Sequence, residues 1–123
     1  MATGVLTVSG NVTGGPDGSW STVATRAVPA AVQSETIVAL TSGSVTVVVP
    51  SGVTNVIIYP PNSAYPIPNP SYAGTITLKG IAGDTGVPIS TTYVTVLEFD
   101  AATAPASFVL TATAVGSCPV RFF

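Results

Sequence analysis

The sequence predicts an all-β protein: a single-domain, jelly-roll-like antiparallel β-sandwich of eight or nine short strands, with a small closed β-barrel as the alternative. Valine and threonine dominate the chain, with 19 and 18 copies. Their β-branched side chains pack well on a pleated sheet but lose rotamer freedom in helices. Alternating segments are separated by glycine and proline, which is typical of strands joined by turns. The length fits one domain over residues 1–123.

The N-terminal part of the chain predicts two strands joined by a long loop. Residues 4–10 alternate as a strand, residues 11–21 form the loop, and residues 21–28 form the second strand. The loop contains the run Gly14-Gly15-Pro16-Asp17-Gly18, whose residue types favour tight turns.

The rest of the chain predicts seven more strands. The clearest unit consists of strands 36–40 and 44–49 around a Thr-Ser-Gly-Ser turn, and this spacing predicts a β-hairpin. The remaining strands are predicted at residues 53–59, 74–80, 93–100, 107–115 and 118–123.

A proline-rich stretch interrupts these strands. Five prolines fall between Pro60 and Pro70. Proline removes a backbone donor and restricts φ, so this stretch cannot be a central strand. We predict a long, stiff loop that contacts a partner, because a stiff segment loses little entropy on docking. The predicted contact residues are Tyr65, Pro66, Pro68, Pro70 and Tyr72.

The composition argues against an enzyme. The chain has no histidine, so neither a serine triad of the usual kind nor a histidine metal site can be assembled. Cys118, the only cysteine, has no histidine base and is interpreted as a buried structural thiol. Glu98 and Asp100 share one strand face and could act as an acid–base pair or bind calcium. Because aspartate at a strand end often opens a turn, we favour a structural role. We predict no catalytic residue, metal or cofactor.

Charge and hydropathy restrict the partners. Three cations cannot follow a nucleic-acid backbone, so no nucleic acid is expected. The apolar runs are strand-sized, whereas a membrane-spanning helix needs about 20 apolar residues, so no membrane partner is expected. The first ten residues lack the features of a signal peptide, which, with a single cysteine, predicts synthesis in a reducing cytoplasm. A surface this poor in charge suits contact with other subunits and predicts a homo-oligomer.

The most motif-like segment is residues 77–90, TLKGIAGDTGVPIS. A phosphate-binding loop needs its lysine after the glycines and a helix behind it. Here Lys79 precedes the glycines, and strand-like residues follow them. We therefore predict a structural turn formed by Gly80, Gly83, Asp84 and Gly86. The glycines are expected to supply positive-φ positions, and Asp84 is expected to bond the backbone two residues on. Ile81 and Val87 are expected to hold the turn against the domain.

Two of these motifs carry a resemblance. These motifs are the IIYPP strand at residues 57–61 and the ITLKGIAGDTG turn at residues 76–86. They occur in the same order in small β-sandwich structural proteins of tailed bacteriophages. This chain resembles such proteins from about residue 35 to its end. The resemblance transfers no catalytic residues. It implies a virion component, either a capsid decoration (cement) protein or a tail-associated module. Such proteins are symmetric, often trimeric, and contact other virion proteins such as the major capsid protein. Residues 1–34 fall outside the resemblance and are expected to include an arm that reaches a neighbour.

The aromatic residues support an alternative function. Carbohydrate-binding sandwiches stack tyrosine and tryptophan rings on sugars, and this chain has Trp20 and four tyrosines. Tyr65 and Tyr72 are expected to be the most exposed of them. The alternative is therefore a carbohydrate-binding module on a virion surface or tail.

Overall fold

The protein is built from β-strands joined by turns. The structure, a computed structural model, describes residues 3–15, 18–29, 33–62, 72–100 and 102–123, and only the backbone for the first two ranges. Within these residues there are ten strands and no helix, and therefore no helix able to cross a membrane. The strands are β1 (Thr3–Gly15), β2 (Gly18–Pro29), β3 (Ser34–Leu40), β4 (Gly43–Val48), β5 (Asn55–Ile58), β6 (Ile76–Lys79), β7 (Val87–Ile89), β8 (Thr95–Glu98), β9 (Ser107–Ala112) and β10 (Gly116–Phe122).

Eight of these strands form two antiparallel sheets of four. The first sheet has the order β3-β10-β5-β8, and the second sheet has the order β4-β9-β6-β7. The pairs are nested: β3 with β10, β4 with β9, β5 with β8, and β6 with β7. The chain thus wraps like one long hairpin folded over itself, which is the jelly-roll arrangement. The predicted all-β sandwich is confirmed. The alternative of a closed barrel is wrong, because each sheet keeps two edge strands.

One hydrophobic core lies between the two sheets. Successive side chains of a strand point to opposite faces, and β3 shows this clearly, with Val38 and Leu40 buried and Ile37 and Ala39 exposed. Burial of such aliphatic side chains is the main force that holds the sheets together. The core residues are Val38, Leu40, Val47, Val49, Val53, Val56, Ile58, Tyr72, Ile76, Phe108, Leu110, Ala112, Cys118, Val120 and Phe122.

The connection between β3 and β4 is a corner between the sheets, where the sequence predicted a hairpin. The Gly43 N–H donates to the Thr41 carbonyl at 2.8 Å, which closes a tight turn. The two strands then pair with β10 and β9 instead of with each other. The prediction was wrong because a hairpin and a sheet-changing corner use the same short, glycine-containing turn. The C-terminal strands decide between a hairpin and a corner, because β10 pairs with the edge of β3 and β9 pairs with the edge of β4.

β1 and β2 form a two-stranded sheet of their own, which we call the ribbon (residues 3–29). Its strands have 13 and 12 residues. They pair from Thr3 opposite Pro29 to Gly15 opposite Gly18, with one irregularity near the tip. The loop predicted over residues 11–21 is therefore wrong in extent, because cross-strand pairing continues through most of it. Turn-forming residues identified the position of the reversal but not the point at which pairing stops.

Candidate interaction surfaces

The predicted glycine turn lies between β6 and β7, the innermost of the nested strand pairs. Asp84 closes it: its Oδ2 accepts a hydrogen bond from the Ile81 N–H at 3.0 Å, and the Asp84 N–H donates to the Ile81 carbonyl at 3.1 Å. These bonds run back three residues rather than forward two, so the expected partner of Asp84 was wrong. Lys79 Nζ lies 3.4 Å from the Ala82 carbonyl, within the same turn.

The three glycines of this turn differ in what they contribute. Gly86 alone has a positive φ, at 74°; Gly80 and Gly83 do not, and the expectation for those two was wrong. A Cβ at Gly86 would lie 2.6 Å from the Leu78 carbonyl oxygen and 2.5 Å from Lys79 Cγ. Both the backbone conformation and the close approach therefore require glycine at this position.

The apolar residues of the turn face solvent. Ile81 is 67% exposed and Val87 is 63% exposed, so the expectation that they hold the turn against the domain was wrong. The hydrogen bonds of Asp84 close the turn without an apolar anchor. Beside it, an open groove of about 460 Å³ is lined by apolar residues together with Lys79 and Asp84. The apolar lining includes Leu78, Val87, Leu97, Phe99 and Phe108.

Tyr72, a predicted partner contact, is instead a core residue. It is buried, and its hydroxyl donates to the Ala114 carbonyl at 3.0 Å. The Asn62 side chain makes two hydrogen bonds with the backbone of Tyr72. Its Oδ1 accepts from the Tyr72 N–H at 3.2 Å, and its Nδ2 donates to the Tyr72 carbonyl at 3.0 Å. Burial raises the pKa of the Tyr72 phenol. The expectation that Tyr72 is exposed was wrong, since its ring packs closely on Gly74 and Gly116.

The other predicted contacts in the proline-rich loop lie outside the described residues. They are Tyr65, Pro66, Pro68 and Pro70. The same holds for the side chain of Trp20 in the ribbon. Among the described tyrosines, Tyr93 is 76% exposed and Tyr59 is partly exposed.

Cys118 and Asp100 lie where the structural interpretations place them. Cys118 is fully buried, and burial raises the pKa of its thiol to about 12, so it is not a thiolate at neutral pH. Asp100 opens a turn: its Oδ1 accepts from the Ala102 N–H at 2.8 Å, and its carbonyl accepts from the Thr103 N–H at 3.1 Å. Glu98 is exposed on β8. No three His, Cys, Asp or Glu residues cluster within the described part of the chain.

The outward side of the second sheet is rich in hydroxyl groups. One row of cross-strand neighbours consists of Ser44, Thr111, Thr77 and Pro88. The Ser44 and Thr111 hydroxyls are hydrogen-bonded at 2.8 Å. Val48 is the exposed apolar exception on this side. Val109, which lies opposite Thr46 and Lys79 on this side, is buried.

The outward side of the first sheet carries more apolar residues than that of the second, together with the charged residues Glu35, Glu98 and Arg121. Ile37 on β3 is 60% exposed and lies opposite Pro119. Val96 on β8 lies opposite Ile57 and is also exposed. We call this surface the apolar face; its exposed or partly exposed residues are Ile37, Ala39, Ile57, Tyr59, Val94 and Val96, and its buried residue is Pro119. Contiguous exposed apolar surface usually marks a contact site.

One ion pair lies on the apolar face. Arg121 Nε donates to Glu35 Oε2 at 2.6 Å, and the Arg121 guanidinium lies 5.6 Å from the centre of the Tyr59 ring. Arg121 stands opposite both Glu35 and Ile57 in the sheet register. The pair joins the edge strand β3 to the inner strand β10. The charges of the two residues cancel each other. A cation held by both a carboxylate and an aromatic ring is positioned for contact.

Sequence reasoning missed the apolar face, although part of its signal was present. Glu35, Ile37 and Ala39 alternate with the core positions of β3, so a period-two analysis would have placed them outward. The pairing of Glu35 with Arg121 could not be found in this way, because the two residues are 86 positions apart. Comparisons with protein-family models, with curated proteins and with solved structures find no match to this chain.

Proposed function

We propose that this chain is a non-enzymatic structural protein of a tailed-phage virion, a capsid decoration (cement) protein. In this proposal it forms a homo-oligomer, a trimer, and contacts other virion proteins such as the major capsid protein. The observation that carries the proposal is the apolar face, on which Ile37, Val94 and Val96 are exposed, in a chain with only three cations and five anions. Interface cores are enriched in aromatic residues and arginine, and this face presents Tyr59 and Arg121 beside its aliphatic residues.

Two further features support the assignment. The jelly roll is a fold used by viral capsid proteins as well as lectins, and fold alone does not identify function. The phage-like motifs at residues 57–61 and 76–86 also support it. The first includes the last two residues of β5, of which Ile57 lies on the apolar face, and the second spans β6 and the turn that leads to β7.

Particle survival tests the proposal. Virions with and without the protein are heated or shocked osmotically, and the surviving fraction is measured. We expect better survival with the protein, and loss of the benefit with Ile37→Asp on the apolar face. Ile81→Asp, an equally exposed isoleucine in the β6–β7 turn, is the matched control and should protect like the wild type. Equal survival with and without the protein would refute a cement role.

A carbohydrate-binding module is the second candidate, and one observation favours it. Tyr93 is the most exposed of the described tyrosines and presents a ring on which a sugar could stack. A glycan array compares the wild type with Tyr93→Ala. Binding that is lost in the variant supports this function, whereas no signal from the wild type removes it.

A further inference from the structure

Among the strands that the structure describes, neither strand of the ribbon pairs with the sandwich. β1 and β2 are hydrogen-bonded only to each other, with 13 and 12 residues respectively. A two-stranded hairpin alone in water is marginal, because it needs further strands or a packed apolar face for stability. The ribbon therefore requires a surface to cover it.

The register divides the ribbon positions into two unlike sets. Residues two apart along a strand share a face, and cross-strand partners share it too. One set pairs Leu6 with Arg26, Val8 with Ala24 and Val12 with Trp20. The other set pairs Thr7 with Thr25, Ser9 with Val23 and Asn11 with Ser21. The first set also includes Gly10 with Thr22, and the second set also includes Val5 with Ala27. The first set still contains the larger apolar residues, so its side of the ribbon is the better suited to packing on another apolar surface.

The apolar face of the sandwich is the complementary surface. Ile37, Val94 and Val96 stay exposed in a chain that carries its own ribbon, so these residues of the face are available to another copy. Two β-surfaces pack face to face at a separation of about 10 Å. A 12-residue ribbon spans about 40 Å and four strands about 19 Å, so one ribbon can cross the whole face. The hydroxyl-rich second sheet offers no such match.

We propose that the ribbon of one copy docks across the apolar face of a second copy. The proposal builds on the self-association in the proposed function but requires no virion. Each copy offers one ribbon and one apolar face, so the contact is head-to-tail and closes into a ring when the rotation permits. A trimer is one such ring.

Disulfide trapping between different copies tests the docking. Purified full-length Val8→Cys and Ile37→Cys proteins are mixed and oxidised, and products are separated without reductant. Each chain carries one new thiol, so a heterodimer forms only if the ribbon of one copy meets the face of another. Cys118 is buried and does not compete. Val8→Cys mixed with Ile81→Cys is the matched control and should give no heterodimer above background.

Light scattering supplies the second measurement. We expect Ile37→Asp to weaken self-association at least tenfold and Ile81→Asp to leave it unchanged. Docking is overturned if the trapped heterodimer is absent, or if Val8→Cys and Ile37→Cys cross-link only when placed in one chain. A stable oligomer that Ile37→Asp does not weaken also overturns docking, while leaving the proposed self-association intact. A monomeric wild type overturns docking without deciding the virion role, which the survival assay measures.

Discussion

Gly86→Ala should destabilise the sandwich strongly, because Gly86 combines a positive φ of 74° with close contacts. A residue with a Cβ pays about 1–2 kcal/mol in the left-handed region. The new methyl would lie 2.6 Å from the Leu78 carbonyl oxygen, and overpacking of this kind costs about 1–3 kcal/mol. The two effects together lower the free energy of unfolding by about 2–5 kcal/mol.

Thermal unfolding followed by circular dichroism measures this loss. For a chain of 123 residues, 1 kcal/mol corresponds to about 4 °C in Tm, so we expect a decrease of about 8–20 °C. Gly83→Ala is the matched control: no atom lies within 4 Å of its added Cβ and its φ is not positive. That variant should be neutral or more stable by about 0.4–1 kcal/mol. Equal Tm values for the two variants would refute the reasoning.

Three further substitutions test the site. Tyr72→Phe removes a buried hydroxyl and leaves its carbonyl partner unpaired, which should cost about 1–2 kcal/mol in urea unfolding; the exposed control Tyr93→Phe should change stability by less than about 0.5 kcal/mol. Asp84→Ala removes the exposed hydrogen bond that closes the β6–β7 turn and should lower the free energy of unfolding by about 0.5–1.5 kcal/mol. If Asp84→Ala lost more stability than Gly86→Ala, Gly86 would not be the more important residue of the turn, as we expect it to be. Because burial raises the pKa of Cys118 from 9.0 to about 12, the unfolded state ionises first. The contribution of Cys118 to stability is therefore constant below pH 9 and falls between pH 9 and 12 by up to about 1.4 kcal/mol per pH unit. Cys118→Ala should lose less stability over this range than the wild type, with the fall due to Tyr72 remaining, and identical pH profiles would disprove the assignment.

Local chemistry explains what could be predicted about the site. Asp84 and the glycines were identified as a turn because turn formation depends on residues within a few positions of one another. Asp100 was identified as a turn opener for the same reason. Cys118 was interpreted as buried from its residue type and strand position. Each of these conclusions depends on a short segment, and the segment is present in the sequence.

Non-local pairing explains what could not be predicted. Tyr72 follows a proline-rich loop and was expected to be exposed, but its hydroxyl bonds Ala114, which is 42 positions away. The 36–49 unit was predicted as a hairpin, but β10 and β9 take its two strands into different sheets. The apolar face likewise combines residues from β3, β5, β8 and β10, which no window of sequence contains together.

The sequence by itself determined the all-β class, the positions of seven of the eight sandwich strands and the β6–β7 turn, because alternation and turn residues are local properties of the chain. It missed the three-residue strand β7 (Val87–Ile89). The tertiary structure alone decided the nested order of strands, the burial of Tyr72 and the unlike outer sides of the two sheets. The physical reason is that hydrogen-bonded edges choose their partners across long loops, and burial depends on which sheets then face each other. Function, as proposed here, depends mainly on that second kind of information.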